Sequence, residues 1–399
     1  MTPEGMESEN IVCFAKDWSE NPTSCTHVLR QLGQHNKVLW LNSIASRTPS
    51  LSSARDLRTI GRKLASFARG PEAVTPGLTT LTPIIVPLPH SPLAARINRV
   101  ILRATIGRER RRLGMNDFQA WTFLPTAAPL IGTLGESLSV YYCTDEWSQF
   151  TSVDGGRMEA LEANLLRKVD VVFAAARSIV EKKRALNPET HLIIHGVDRD
   201  HFATALDPGT PIPDDIAHLP RPIIGFFGLI EDWIDTELFA FLARRRPEWS
   251  IVVIGQSHIP LDHLQGIPNL HILGRRPYEA LPRYAKAFSV GLCPFRVNAL
   301  TVHVNPIKLR EYLSAGLPVV SSDIPECRVD EALGRVASDH EGFLSAIEGF
   351  LAADSLEARE RRSEAMKSET WEARVREIGA HVMRVKQVKR ARLLASPRP

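Results

Sequence analysis

No window of this sequence holds the roughly 18 or more consecutive apolar residues that a membrane-spanning helix needs. The longest apolar stretches, such as IIGFFGLI over 223–230, have the length of buried strands. The opening MTPEGMESENIVCF is acidic and lacks the charged-then-apolar order of a secretory signal, so the chain reads as cytosolic. Cysteine is scarce: Cys13, Cys25, Cys143, Cys293 and Cys327 are scattered, odd in number and never spaced Cys-x-x-Cys. That argues against a zinc site or redox pair and for reduced, mostly buried thiols. There is no EF-hand-like carboxylate run and no His/Cys cluster, so neither a metal nor a separate cofactor is expected. No Gly-x-Gly-x-x-Gly follows the first strand candidate, which makes a nicotinamide dehydrogenase the weakest option.

What is present fits a soluble globular protein. With 399 residues, 44% hydrophobic and 24% charged, the chain is too long for one ordinary core and long enough for two. The net charge of +4 is mild but uneven. Arg96, Arg99, Arg103, Arg108, Arg110, Arg111 and Arg112 face the single acid Glu109, with Ile97, Val100, Ile101, Ala104 and Ile106 between them at roughly helical spacing. Such a helix suits either an anionic membrane surface or the solvated outside of a domain. Nucleic acid is disfavoured, because no recognition motif or aromatic interleaving accompanies the charge.

Strand-like and helix-like segments alternate along nearly the whole chain. Strands are predicted at 10–14, 37–41, 77–85, 119–124, 139–143, 170–174 and 191–195, with helices such as 25–34 and 158–167 between them. Ser178 and Glu181 have the spacing of a capping box. Five prolines over 206–222 argue against regular structure there and for a linker between domains. Alternation then resumes: strands at 223–227, 250–254, 270–273, 289–293 and 318–321, helices at 235–245, 278–287 and 306–315. This pattern implies two units with parallel sheets, whose ligands bind beyond the carboxyl ends of the strands. From Trp371 an amphipathic, basic helix is predicted, its last dozen residues too polar to pack.

The most informative stretch is HVNPIKLREYLSAGLPVVSS, 303–322. Asn305 fits an N-cap, Pro306 the first helical position and Gly316 a left-handed C-terminal cap, which together define a helix of about ten residues. Leu309, Tyr312 and Leu313 can form its core-facing stripe. Lys308 stands in the first turn, where the helix dipole already presents positive charge; a bound diphosphate would reverse that penalty. Glu311, one turn on, can accept from ribose hydroxyls. The alternative is a surface ion pair between the two.

This stretch resembles the signature of group 1 (family 4-like) glycosyltransferases, on Pro306, Lys308, Glu311, Tyr312, Gly316, Pro318, Val319 and Val320. IIGFFGLIEDWID (223–235), VVIG (252–255), LHILGRRPYEALPRYAKAFSVGLCPF (270–295) and IIHGVDRDHF (193–202) resemble other parts of that family in order. FAKDWSENPTSCTHVLRQLGQHNKVLWLNS (14–43) and SVYYCTDEWSQF (139–150) are similar to teichuronic-acid-type and glucuronosyltransferase-like bacterial enzymes of cell-surface polysaccharide synthesis.

The resemblance implies an α/β protein with two Rossmann-like domains facing a central cleft (GT-B). On it, 1–205 is the acceptor-binding domain, 206–222 the linker, 223–370 the nucleotide-sugar-binding domain and 371–399 a C-terminal helix and basic tail. The partners implied are a nucleotide-sugar donor, a UDP-sugar by preference, and a saccharide or lipid-linked acceptor at the inner membrane face. Donor-binding residues would be Gly228, Arg275, Tyr278, His303, Asn305, Pro306, Lys308 and Glu311. Two departures stand out: His303 replaces the glutamate expected eight positions before Glu311, and Gly228-Leu-Ile-Glu-Asp-Trp carries acids where cations are usual.

An inverting transfer needs a base for the acceptor hydroxyl. Asp145, after a predicted strand, is the leading candidate, with helix capping as its ordinary alternative and Glu146 as competitor. Asp17 and Trp18 follow the first strand and are candidates for the acceptor side, or simply a turn. Two other functions remain open: a catalytically silent GT-B binding protein in a polysaccharide assembly complex, and a GT-B UDP-sugar epimerase.

Overall fold

A computed structural model of the chain describes residues 6–395 except 21, 43–64, 66, 68, 87–90 and 152. The last four residues of the predicted tail lie outside the described residues. The chain divides into two compact units, one of 1–194 with 374–399 and one of 195–373.

The first unit is built on an eight-stranded sheet. Its strands are β1 (Asn10–Phe14), β2 (Lys37–Leu41), β3 (Glu72–Thr75), β4 (Leu78–Leu81), β5 (Gln119–Thr122), β6 (Leu138–Cys143), β7 (Val171–Ala174) and β8 (Thr190–Leu192), in the order β3-β4-β2-β1-β5-β6-β7-β8. Only the β3–β4 hairpin at the edge is antiparallel. The others pair in parallel, so both sheet faces need cover, and β5, β6 and β7 are buried at every position. Helices α1 (Ser24–Leu32), α2 (Pro92–Arg112), α3 (Gly155–Leu166) and α4 (Arg177–Arg184) belong to this unit. Strand order turns back at β1, which pairs β2 on one side and β5 on the other.

The second unit has a wholly parallel six-stranded sheet, β11-β10-β9-β12-β13-β14. Its strands are β9 (Ile223–Phe227), β10 (Ser250–Ile254), β11 (Leu270–Gly274), β12 (Val290–Cys293), β13 (Val319–Ser322) and β14 (Gly334–Ala337). Its helices are α5 (Arg199–Ala203), α6 (Asp214–Ala217), α7 (Thr236–Arg245), α8 (Leu281–Ala287), α9 (Ile307–Ser314), α10 (His340–Ala353) and α11 (Leu356–Ala365). Here the switch lies between β9 and β12, the place where open α/β sheets bind ligands. Finally α12 (Trp371–Ala395) starts in the second unit and continues in the first.

Three expectations need correction. The proline-rich 206–222 stretch lies inside the second unit, which begins at His195. Prolines prevent a hydrogen-bond ladder but not anchoring: Lys286 donates to the carbonyls of Asp207 and Pro208, and Asp215 holds Arg276 at 2.8 Å and the Tyr284 hydroxyl at 3.0 Å. The C-terminal helix is not a separate tail. It stays helical to Ala395 and is tied to the first unit by Lys386 on Glu9 (2.6 Å), Arg384 on Glu189 (2.6 Å) and Lys389 on Asp170 (2.8 Å). Last, the N-cap of α4 is Ala176, with no side-chain cap, so Ser178 sits inside the first turn rather than in a capping box.

Candidate functional site

The helix α9 is positioned from both ends. Gly316, at φ +81°, closes it: its N–H donates to the Leu313 carbonyl and that of Leu317 to Tyr312, both at 2.9 Å. Leu309, Tyr312 and Leu313 are buried as the apolar stripe requires. The Tyr312 hydroxyl accepts from the Phe227 N–H at 2.9 Å, pinning α9 to the last residue of β9. At the start of the helix the sequence misleads. Pro306, not Asn305, is the N-cap, and Asn305 instead accepts from the buried Arg310 guanidinium at 2.7 Å. Arg310 also pairs with Glu369 at 3.3 Å.

This placement lays the Lys308 side chain across Gly228, the residue after β9. A Cβ on Gly228 would stand 1.8 Å from Lys308 Cε and 2.6 Å from its Nζ. Gly228 also has φ +152°, so two independent constraints demand glycine there. Its neighbour Gly255 is as constrained, since a Cβ would meet the Gly228 carbonyl oxygen at 1.7 Å. Lys308 Nζ lies 5.9 Å from the Phe226 ring centroid, at the sheet's switch point.

Glu311 is buried on the same helix, 8% exposed. Burial pushes its carboxyl up to about 7, with Lys308 pulling it back and Asp198 adding to the rise. No side-chain hydrogen bond or ion pair joins Glu311 to Lys308 or to any other described residue. The surface ion pair offered as the ordinary alternative is therefore absent. A buried carboxylate and a nearby ammonium, neither with a hydrogen-bond or ion-pair partner among the described residues, are groups arranged for something else to bind.

Other donor-side residues come from nearby loops. Tyr278 opens the turn before α8, and its ring stacks on His201 at 4.9 Å, with His201 Nε2 3.2 Å from the Tyr278 carbonyl oxygen. Arg275 is exposed directly after β11. His303 ends a short 3-10 turn, half-buried, two residues ahead of Asn305. Glu231, one of the unexpected acids, is the partner of His258 Nδ1. Sequence reasoning missed two members of this neighbourhood. Asp198 caps α5 by accepting from the His201 N–H and faces Glu311 electrostatically; both it and His201 lie within the quoted IIHGVDRDHF, without a role being read from them.

On the first unit, Asp17, Trp18 and Asp145 all lie beyond carboxyl ends of strands. Asp17 is buried just past β1, at the switch point. Trp18 meets Trp40 edge-on at 5.0 Å, with Arg30 over its ring. Asp145 follows β6, one strand beyond β5. It caps no helix: Glu146 is the N-cap of the next 3-10 turn, and the Asp145 carboxylate accepts from the Thr144 hydroxyl at 2.8 Å. Burial holds its carboxyl above the ordinary aspartate value despite that hydrogen bond. Glu146 is sealed in. With Glu162 it clasps the buried Lys183 ammonium, at 3.1 and 2.6 Å, and Tyr141 adds a hydrogen bond to Glu162 at 2.7 Å.

Among the described residues no three His, Cys, Asp or Glu side chains gather as a metal site, and no helix is long and apolar enough to cross a membrane.

Comparison with known proteins bears on the family and the fold. Residues 221–353 match the family model described as glycosyl transferases group 1, so the β9–α10 region is a group 1 glycosyltransferase domain. A Bacillus subtilis (strain 168) protein, TuaH, described as a teichuronic acid biosynthesis glycosyltransferase, is 23% identical over 265 residues. That match covers 60% of this chain and 65% of TuaH. Among solved structures, sucrose-phosphate synthase from Thermosynechococcus elongatus superposes with a TM-score of 0.67 at 16% identity, over 97% of this chain and 100% of that one. HepE from Anabaena, in complex with UDP and glucose, superposes at 0.60 and 10% identity over 98% and 100%. Starch synthase IV from Arabidopsis thaliana, bound to ADP and acarbose, gives 0.66 at 10% over 96% and 100%. The fold is that of GT-B glycosyltransferases, with two Rossmann-like domains.

Proposed function

We propose that this chain, with its group 1 glycosyltransferase domain, transfers a hexosyl or glucuronosyl group from a UDP-sugar to a saccharide or lipid-linked acceptor. We place that reaction in cell-surface polysaccharide synthesis at the cytoplasmic face of the membrane. The carrying observation is the pair of charged groups on α9, neither hydrogen-bonded nor ion-paired to a described residue, with Lys308 lying over Gly228 at the switch point. UDP in the HepE complex and the description of TuaH support the donor and the pathway class.

In the proposed reaction an acceptor hydroxyl oxygen attacks the anomeric carbon while the bond from that carbon to the diphosphate oxygen breaks. The proton passes to Asp145, whose raised pKa suits a base that must also hold it. Charge developing on the leaving diphosphate is met by the Lys308 ammonium and the first-turn amides of α9, with Gly228 allowing close backbone approach. Glu311, when ionised, accepts from the ribose hydroxyls. Arg275 and Tyr278 border the nucleoside base, and His303, Asn305 and Pro306 shape the loop beside the transferred sugar. Asp17 and Trp18 line the acceptor side.

The test is turnover of a panel of labelled nucleotide sugars by wild type, Lys308→Ala and Glu311→Ala. Loss of one charged hydrogen-bonding group is expected to cost about tenfold or more in rate. If both variants keep wild-type rates, the site assignment is wrong.

A further inference from the structure

The helix α2 has two apolar faces, and only one is used by the fold. Ala94, Leu102 and Ile106 are buried, Leu102 and Ile106 in the core of the first unit. Asn98, on the same side, brackets the Val86 backbone, accepting from its N–H at 2.7 Å and donating to its carbonyl at 2.9 Å. The opposite side carries Leu93, Ile97 and Val100, which are 67%, 41% and 65% exposed, followed by exposed Ala104. Spacings of four, three and four put them on one stripe. A row of large apolar side chains turned to solvent marks an interaction surface.

The charges around that stripe say what it fits. Arg96, Arg99, Arg103 and Arg111 are exposed and make no ion pair with a described residue. The one acid of the helix, Glu109, is buried and taken by Arg108 and Arg112, at 2.9 and 2.8 Å. A merely solvated helix gains by placing acids one turn from its bases; Glu109 does so only for Arg112, and no acid stands three or four residues from Arg96, Arg99 or Arg103. A nucleic acid would account for the arginines but leave the apolar stripe facing water. An anionic bilayer accounts for both: apolar side chains enter the acyl boundary while long arginine stems reach up to the phosphates.

We propose that the outward face of α2 lies in the plane of an anionic lipid surface, with Leu93, Ile97 and Val100 inserted and Arg96, Arg99, Arg103 and Arg111 on the headgroups. This deepens the membrane-face placement proposed above and does not depend on the donor chemistry.

Flotation of the full chain with phosphatidylcholine vesicles, with and without phosphatidylglycerol, tests it without any need for turnover. Wild type should float only with the phosphatidylglycerol vesicles and be released by high salt. Arg99→Gln/Arg103→Gln should bind about tenfold or more weakly, since each basic residue near such a surface contributes roughly fivefold. Leu93→Asp/Val100→Asp, altering only exposed positions, should lose flotation while keeping the wild-type circular dichroism spectrum and nucleotide affinity. Failure of wild type to float, or flotation unchanged in the Leu93/Val100 variant, would overturn the proposal. So would tighter binding to an RNA homopolymer than to the anionic vesicles. Inactivity of the enzyme in sugar transfer, with flotation as expected, would overturn the transferase reading alone.

Discussion

Glu311→Gln should make the unliganded protein more stable and its nucleotide binding weaker. The carboxyl is raised from 4.5 to about 7, chiefly by burial, with Lys308 opposing and Asp198 adding to the rise. Because the folded pKa lies above the unfolded one, the native state holds the extra proton between those values, and stability falls as pH rises through that window. At pH 5 the group costs about 1 kcal/mol; by pH 8, with Glu311 ionised in both states, it costs about 3 kcal/mol. Glutamine has nearly the same shape and does not titrate. The variant should therefore gain on wild type by about 2 kcal/mol between pH 5 and pH 8, several degrees in melting temperature for a unit of this size. Parallel thermal melts of the two proteins across that range measure it. Calorimetric titration with UDP supplies the other half: losing a charged acceptor for ribose should cost about 1.5–3 kcal/mol of binding. A stability gap that does not change with pH would refute the idea of a partnerless buried acid. A variant that binds UDP as tightly as wild type would refute its role at the ribose.

Much of the second unit was legible in its sequence because local and tertiary signals agree there. The 223–227 and 250–254 strands were read to the residue, being continuous β-branched or aromatic runs buried on both faces. Gly316 ended α9 as expected, since a left-handed residue there is a local requirement. What failed depended on distant partners. Asn305 has the composition of a cap, yet Arg310 takes its side-chain oxygen, and only the folded helix brings those two together. The prolines of 206–222 were read correctly as breaking regular structure over most of that stretch and wrongly as a boundary. What ties the stretch to the second unit is Lys286 and Arg276, 61 or more residues away in the chain. The weak strands β3 and β14 and the helices α10 and α11 were not anticipated, and β3 is exposed at every position, with no buried stripe to betray it. Asp198 escaped notice as a site residue because its influence on Glu311 is through space, and one-dimensional spacing has no signal for it.

Two further perturbations probe the contacts that hold the proposed site. Gly228→Ala should weaken UDP binding by pushing Lys308 aside, its Cε lying 1.8 Å from the new Cβ, and should also lower stability, since φ +152° strains alanine. In a double-mutant cycle the loss should be non-additive with Lys308→Ala, and simple additivity would mean the two residues do not share a site. Lys183→Met addresses the buried network behind Asp145. Among the described residues Lys183 is the only cation bonded to Glu162, and removing it leaves Glu162 buried beside Glu146 with Lys182, at 3.3 Å from Glu146, as the remaining cation. At Glu146 burial acts to raise the carboxyl, but Lys183 and the hydroxyl of Ser148 outweigh it and hold the group below its ordinary value. In wild type that depressed pKa contributes stability above the unfolded value, lost only as pH falls through the folded one. Without Lys183 only Lys182 and the Ser148 hydroxyl oppose burial at Glu146, so its pKa moves up: the variant should lose most stability at high pH and recover part of it as Glu146 protonates. Breaking a buried ion pair typically costs about 3–5 kcal/mol, which urea unfolding at pH 8 and pH 5.5 resolves. Adding Glu146→Gln should return part of the loss at pH 8. If Lys183→Met matches wild type there, the three charges do not form the network that orders the turn carrying Asp145, and the support for that residue's placement falls with it.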